Sequence, residues 1–176
     1  TLTAWSPTDE TIVFYSNRSG NWDLWAADLS GTTEPRQVTD LPGAELYPTF
    51  SPDGSMVVFR SEQDGNGDLW VVSPDGARLQ PWIDDEFDSG WGAWSPDARF
   101  FYYSSNRGGD YNIWMRDPAG GAPTAVTRYS GPALGLSESP LYTRFAVGGD
   151  RLVVPVETRR SELWLLEWTG GAEEPS

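Results

Sequence analysis

The feature that most constrains this chain is an internal period. "AWSPTDETIVFYSNRSGNWDLW" at residues 4–25 returns as "TFSPDGSMVVFRSEQDGNGDLW" at 49–70 and as "AWSPDARFFYYSSNRGGDYNIW" at 93–114. The leading anchors Trp5, Phe50 and Trp94 are 45 and 44 residues apart, and so are the trailing anchors Trp25, Trp70 and Trp114. A unit this constant between its anchors is one supersecondary element that buries its apolar faces only against its neighbours. A degraded fourth copy, "RFAVGGDRLVVPVETRRSELW" at 144–164, begins late. Its first anchor, Phe145, lies 51 residues after Trp94, its second is Trp164, and Val147, Gly148, Gly149 and Asp150 stand where the turn "SPDG" should be.

Within a unit every local signal is of β type, with short runs of Val, Ile, Phe, Tyr and Trp between Pro, Gly, Asn, Asp and Ser. No helical stripe interrupts them. In the second copy the pattern predicts strands at 47–50, 56–61, 68–73 and 78–82. Pro52 presets the backbone of the first turn and Gly54 takes its left-handed position. Four short strands per period of about 44 residues make the blade of a β-propeller. The expected fold is all-β: one propeller-type domain over 1–176, with four-stranded antiparallel blades at about 4–46, 47–90, 91–136 and 143–170.

Composition removes much of chemistry. The chain carries 12 basic residues against 26 acidic ones, a formal net charge of -14, which opposes nucleic acid and anionic lipid. All the basic residues are Arg; the sequence has no Lys, His or Cys. That excludes Ser-His-Asp and Cys-His catalysis, ordinary zinc sites, Schiff bases and P-loops. Paired carboxylates, Tyr, Ser, Arg or an oxygen-bound cation remain, and no pair of acids stands out from the others as a glycosidase pair would. Runs such as "MVVF" and "LVVPV" fall far short of the roughly 20 apolar residues of a membrane span, and no leader pattern is present. Neither a transmembrane segment nor an attached signal peptide is therefore expected.

"SEQDGNGDLW" at 61–70 sets Asp64, Asn66 and Asp68 in alternation like the oxygen ligands of a calcium loop. Calcium takes six to eight ligands, and the residues after Asp68 read as a strand rather than as further donors. Aligned on the trailing Trp anchors, "DGNGD" corresponds to "SGNWD" at 19–23 and "GGDYN" at 108–112, so Ser19 and Gly108 replace the first acid. The Gly and Asn are hairpin chemistry. Asp68, matched by Asp23 and Asn112, is a repeat position expected to brace the turn, and no cofactor is expected.

The run of an aromatic, SPDG, an apolar β segment and then S-x-R-x-G-x-x-D-[LI]-W resembles the WD-like propeller repeat of the TolB family, across residues 4 to about 168. Related repeats occur in the propellers of prolyl-oligopeptidase-type peptidases and the tricorn protease. The resemblance implies a periplasmic or otherwise extracytoplasmic module that binds proteins through one face. Such propellers usually close with six to eight blades, and four units are present here. The chain is thus expected to belong to a longer propeller, to form a four-bladed ring, or to form an open arc completed by a partner or a second copy. An open arc exposes apolar faces and a strand edge that need covering.

Blade geometry assigns the hairpins at 17–22, 62–67 and 106–111 to one rim, with the connections at 40–45, 84–91 and 128–142. Binding candidates on it are Arg18 and Arg107, at equivalent places in the first and third copies, with Trp22 and Tyr111 on their hairpins. Each Arg can equally pair with the Asp that opens the third strand or with a neighbouring blade. The acidic connection "DDEFDSGW" adds Phe87 and Trp91, and the longest connection adds Leu134, Leu136, Leu141 and Tyr142. Trp at repeat anchors are read as interblade packing, which leaves Trp22, Trp82 and Trp91 as the freer ones. The expected function is a non-catalytic protein-protein interaction module docked on a larger, membrane-associated complex, with self-association if the propeller is open. The alternatives are a peptidase propeller and a small-ligand or carbohydrate binder.

Overall fold

The computed structural model describes residues 3–130, 134–135, 145–148, 151–158 and 162–167. These form sixteen strands and no helix. The first blade contains β1 (Thr3–Trp5), β2 (Thr11–Ser16), β3 (Asp23–Asp28) and β4 (Arg36–Gln37), and the second β5 (Glu45–Phe50), β6 (Val57–Ser61), β7 (Asp68–Val72) and β8 (Leu79–Ile83). The third contains β9 (Ser89–Trp94), β10 (Phe101–Ser105), β11 (Asn112–Arg116) and β12 (Thr124–Ala125). Each is a four-stranded antiparallel sheet in sequence order. The fourth sheet is irregular: β15 (Arg151–Thr158) pairs with β16 (Glu162–Glu167), and also with both β13 (Leu134–Gly135) and β14 (Ala146–Gly148). The fold is thus an open, propeller-like arrangement of four sheets.

The predicted strands of the second copy lie within two residues of the observed ones. The turns account for this precision. Ser51 donates its hydroxyl to Asp53 Oδ1 at 2.5 Å and accepts the Met56 N–H at 3.1 Å, while the Gly54 N–H closes on the Ser51 carbonyl at 2.9 Å. Gly54 has φ 73° and Gly76, in the second SPDG of the same blade, φ 82°. In the third copy Ala98 occupies this left-handed position at φ 59° with the same bonds around Ser95 and Asp97.

Side chains alternate across each strand, so every blade has two faces. One looks back: Phe50, Val57 and Phe59 of the second blade pack on Val13, Leu24, Ala26 and Val38 of the first. Trp94, Phe101 and Tyr103 of the third repeat this against Val58, Leu69, Val71 and Ile83 of the second. Phe145, Leu152 and Val154 then pack on Tyr102 and Ile113. The first strands lie innermost, since β5 packs on β1, β2 and β3 and also on β9. Trp82 departs from its expected freedom: it stacks on Trp94 with ring centroids 5.8 Å apart and so belongs to the interblade packing. Trp5 departs the other way, at 64% exposure, since no sheet among the described residues packs on its outer face.

The left-handed backbone at Ala98 generates a stability prediction. A non-glycine residue there costs about 1–2 kcal/mol, against the 0.5–1 kcal/mol of chain entropy a glycine loses. Ala98→Gly should raise the melting temperature by roughly 1–3 °C in a chain of this size. A lower melting temperature would show that the turn is not strained.

Candidate functional site

The rim begins with the hairpins between second and third strands. Asn21 donates its side-chain amide to the Leu41 and Gly43 carbonyls at 2.8 and 2.6 Å, and Asn66 does the same to Asp85 and Phe87 at 2.8 and 3.1 Å. In the third copy amide and acid have exchanged places. There Asn112 donates to the Tyr129 carbonyl at 3.1 Å and accepts from Thr127 Oγ1 and the Tyr129 N–H at 2.9 and 2.7 Å. Backbone bonds reinforce the link, from Glu45 N–H to the Trp22 carbonyl at 2.6 Å and from Ser89 N–H to that of Gly67 at 2.7 Å. Hairpins and connections are therefore tied into one continuous rim.

Between the second and third blades the rim is held by charge. Arg60 is buried and pairs with Asp88 at 2.7 Å and with Glu62 at 3.2 Å. It occupies the space that a side chain at residue 67 would need: a Cβ on Gly67 would come within 1.6 Å of its guanidinium. Asp88 also accepts the Gly67 N–H at 2.8 Å and the Tyr111 hydroxyl at 2.5 Å. Burial alone would raise its carboxyl, but the Tyr111 hydroxyl, the Arg60 charge and these hydrogen bonds outweigh it and hold it below the usual range. Asp68 accepts from Asn66 Nδ2 at 3.3 Å, which is the bracing role its repeat position suggested. Burial and then the charge of Asp84 push its carboxyl up to about 6.

A second acidic centre lies between the first and second blades and escaped the sequence reading. Asp23 and Glu45 are both fully buried. Thr39 donates to Glu45 Oε2 at 2.7 Å, and Gln37 donates to Asp23 Oδ2 at 2.8 Å together with the Ser19 hydroxyl. The remaining oxygens, Asp23 Oδ1 and Glu45 Oε1, receive no donor among the described residues. Burial pushes Glu45 up to about 8, Thr39 opposes this, and the charge of Asp23 adds to it. Near neutral pH Glu45 therefore keeps its proton.

The sequence candidates divide by environment. Arg107 pairs with Asp85 and lies over the rings of Phe87 and Trp114 at 5.0 and 5.5 Å, so both it and Phe87 are engaged across the blade junction. Tyr111 is committed to Asp88, and Trp91 packs edge-on against Phe145 of the fourth blade at 5.1 Å. Arg18 is exposed, lying over Trp25 at 4.8 Å and Phe14 at 5.2 Å with its Nε donating to Ser16. Trp22 is 41% exposed beside Tyr15 at 5.6 Å, and Tyr15 meets Tyr47, whose φ of 58° marks a bulge in β5. The backbone of Leu134 pairs with Thr158; Leu136, Leu141 and Tyr142 lie outside the described residues. Asp64 and Asn66, expected to be turn rather than calcium residues, are engaged with Gln63 and with the connection carbonyls.

Residues 3–140 match the family model described as the TolB β-propeller domain. No curated protein sequence matches the chain. Among solved structures, a protein assigned to TolB from Agrobacterium tumefaciens is 20% identical, with a TM-score of 0.64 over 72% of this chain and 50% of its own. TolB from Acinetobacter baumannii is 19% identical, with a TM-score of 0.61 over 96% of this chain and 43% of its own. A puromycin-hydrolyzing peptidase of Mycobacterium tuberculosis is 18% identical, with a TM-score of 0.69 over 93% of this chain and 28% of its own. The chain thus spans half or less of the length of these structures, and at such identities the likeness is one of fold.

The burial of Glu45 makes stability fall as pH rises. Glu45 ionises in the unfolded chain near its ordinary 4.5 and in the folded one near 8, so between these values the folded state binds the extra proton. With no His or Cys in the sequence, little else titrates between pH 6.5 and 8.5. Over that interval denaturant titrations should lose about 2 kcal/mol of unfolding free energy. Glu45→Gln should flatten the dependence, and an unchanged slope in that variant would assign the loss to another group.

Proposed function

The chain belongs to the TolB β-propeller family, and from that premise we propose that it is a non-catalytic protein-protein interaction module. It serves as an accessory or scaffold subunit in an extracytoplasmic space and docks on a larger, membrane-associated assembly. The observation that carries the reading is the rim: three hairpins and their connections are tied by side-chain amides into one rigid border, with Trp22 exposed on it. A preorganised surface of this kind binds without a loop-ordering cost. Its acidity directs it toward a partner with a basic contact surface. No helix among the described residues is long and apolar enough to cross a membrane.

A second reading has one observation behind it. The likeness to the Mycobacterium tuberculosis peptidase carries a TM-score of 0.69, above the 0.64 and 0.61 of the two TolB structures. On that reading the four blades are the propeller of a peptidase and limit access to a catalytic domain.

Photo-crosslinking in cells of the source organism tests the proposal. Benzoyl-phenylalanine at Trp22 or Asp64, on the amide-tied rim, should give adducts with a separate polypeptide. The same probe at Ala77 or Pro96, on the turns at the other end of the sheets, should give none. Adducts only from the latter positions would contradict the proposed face, and adducts only within the same polypeptide would favour the peptidase reading.

A further inference from the structure

The junction between the first and second blades buries more than two acids. Ser61 pairs with Glu45 across β5 and β6 and is likewise fully buried. Val57 and Phe59 of its strand pack on the first blade, so alternation turns Ser61 toward that blade as well. Its hydroxyl meets no hydrogen-bond partner among the described residues, and the same holds for Asp23 Oδ1 and Glu45 Oε1. Short links bring these groups to one place. The Glu45 N–H donates to the carbonyl of Trp22, the residue before Asp23, and Thr39 Oγ1 accepts the Leu24 N–H at 2.8 Å while donating to Glu45.

The second junction supplies its own cation. Aligned on the trailing Trp anchors, Arg60 stands where the first blade has Tyr15, Asp88 where the second has Ala44, and Ser89 and Ser105 where it has Glu45 and Ser61. There the two serine hydroxyls bond each other at 3.4 Å, and the Arg60 guanidinium sits on Asp88 at 2.7 Å. The first junction has two acids, and neither forms an ion pair among the described residues. Arg18, on the adjoining hairpin, is engaged with Ser16, Phe14 and Trp25 instead. A buried carboxylate is stable only with a proton or a positive charge beside it.

We propose that Asp23, Glu45 and Ser61 bind one hard divalent cation, calcium or magnesium, which ties the first blade to the second as Arg60 ties the second to the third. The donors are all oxygens, and with no His or Cys in the sequence nothing here selects a softer metal. Two carboxylates balance the charge of such an ion. Three free oxygens make half of the roughly six that either ion requires, so Thr39 Oγ1, which keeps a lone pair, and water complete the shell.

In the ion-free chain Glu45 holds a proton in the ion's stead. Because Trp22 precedes Asp23 and accepts the Glu45 N–H, an ion here also fixes the hairpin that presents the exposed Trp22 on the rim.

Calorimetric titration and thermal melting of the full chain near neutral pH, stripped with EDTA and kept in about 0.15 M NaCl to screen the surface acids, test this. The expected result is one ion bound per chain and a melting temperature raised by at least about 3 °C in about 10 mM calcium or magnesium chloride. Glu45→Gln should weaken binding at least about tenfold and Ser61→Ala at least about threefold. Gln keeps the shape of the protonated acid and Ala removes an unpartnered hydroxyl, so both variants should retain the circular dichroism and ion-free melting of the parent chain. Asp64→Ala, outside the site, should change nothing. No rise in melting temperature with either ion overturns the proposal. So does binding that Glu45→Gln leaves intact, which would place the ions on the acidic surface.

Discussion

The structure depends on one packing contact made repeatedly: the leading aromatic of a blade and its second-strand neighbours press into the sheet before it. A single four-stranded sheet of this size has no core of its own, because both of its faces are apolar and each needs a neighbour. Burying a large aromatic removes roughly 150–250 Å² from water and supplies several kcal/mol, so stacking the blades provides most of what holds them. The aromatic period is therefore the fold's organising constraint rather than a decoration on it. At Trp5, which no sheet among the described residues covers, the same kind of aromatic is 64% exposed.

Polar chemistry then fixes how the blades sit on one another. Asn21, Asn66 and Asn112 each donate a side-chain amide to the carbonyls of the following connection, converting loops into a rigid border. Arg60 and Asp88 lock the second junction, with Tyr111 completing the carboxylate's partners. The first junction buries Asp23 and Glu45 instead, and burial favours the protonated form of Glu45. Two junctions of one repeat thus respond to pH in opposite senses. In the second the carboxylate is held ionised; in the first the carboxyl is held neutral.

Much of this was legible in the sequence because its determinants are local. The 44-residue period, the SPDG turns and the apolar run "MVVF" mark the strands and their order within a blade, and those features need no knowledge of what lies opposite. The bracing of the turn by Asp68 was suggested by aligning it with Asp23 and Asn112. What could not be read depends on contacts between blades. Asp23 and Glu45 are 22 residues apart and belong to different sheets. Trp82 sits on a last strand outside the anchor pattern, yet its ring reaches Trp94. Trp5 and Trp94 are the same letter in the same motif, and only the presence or absence of a preceding sheet separates a buried residue from an exposed one. The amides at Asn21 and Asn66 were visible as a repeat position, and their shared offset from the trailing Trp was the available signal for the rim's bracing.

The most direct test of the central claim compares equivalent residues in different neighbourhoods. Denaturant unfolding of Trp94→Ala and Trp5→Ala, on single chains at high dilution, isolates the interblade contact from everything else the two positions share. Trp94→Ala should cost about 3–5 kcal/mol, as truncation of a core aromatic does, and Trp5→Ala less than about 1 kcal/mol. Equal costs at the two positions would contradict the account, since the aromatic period would then act within each blade rather than between blades.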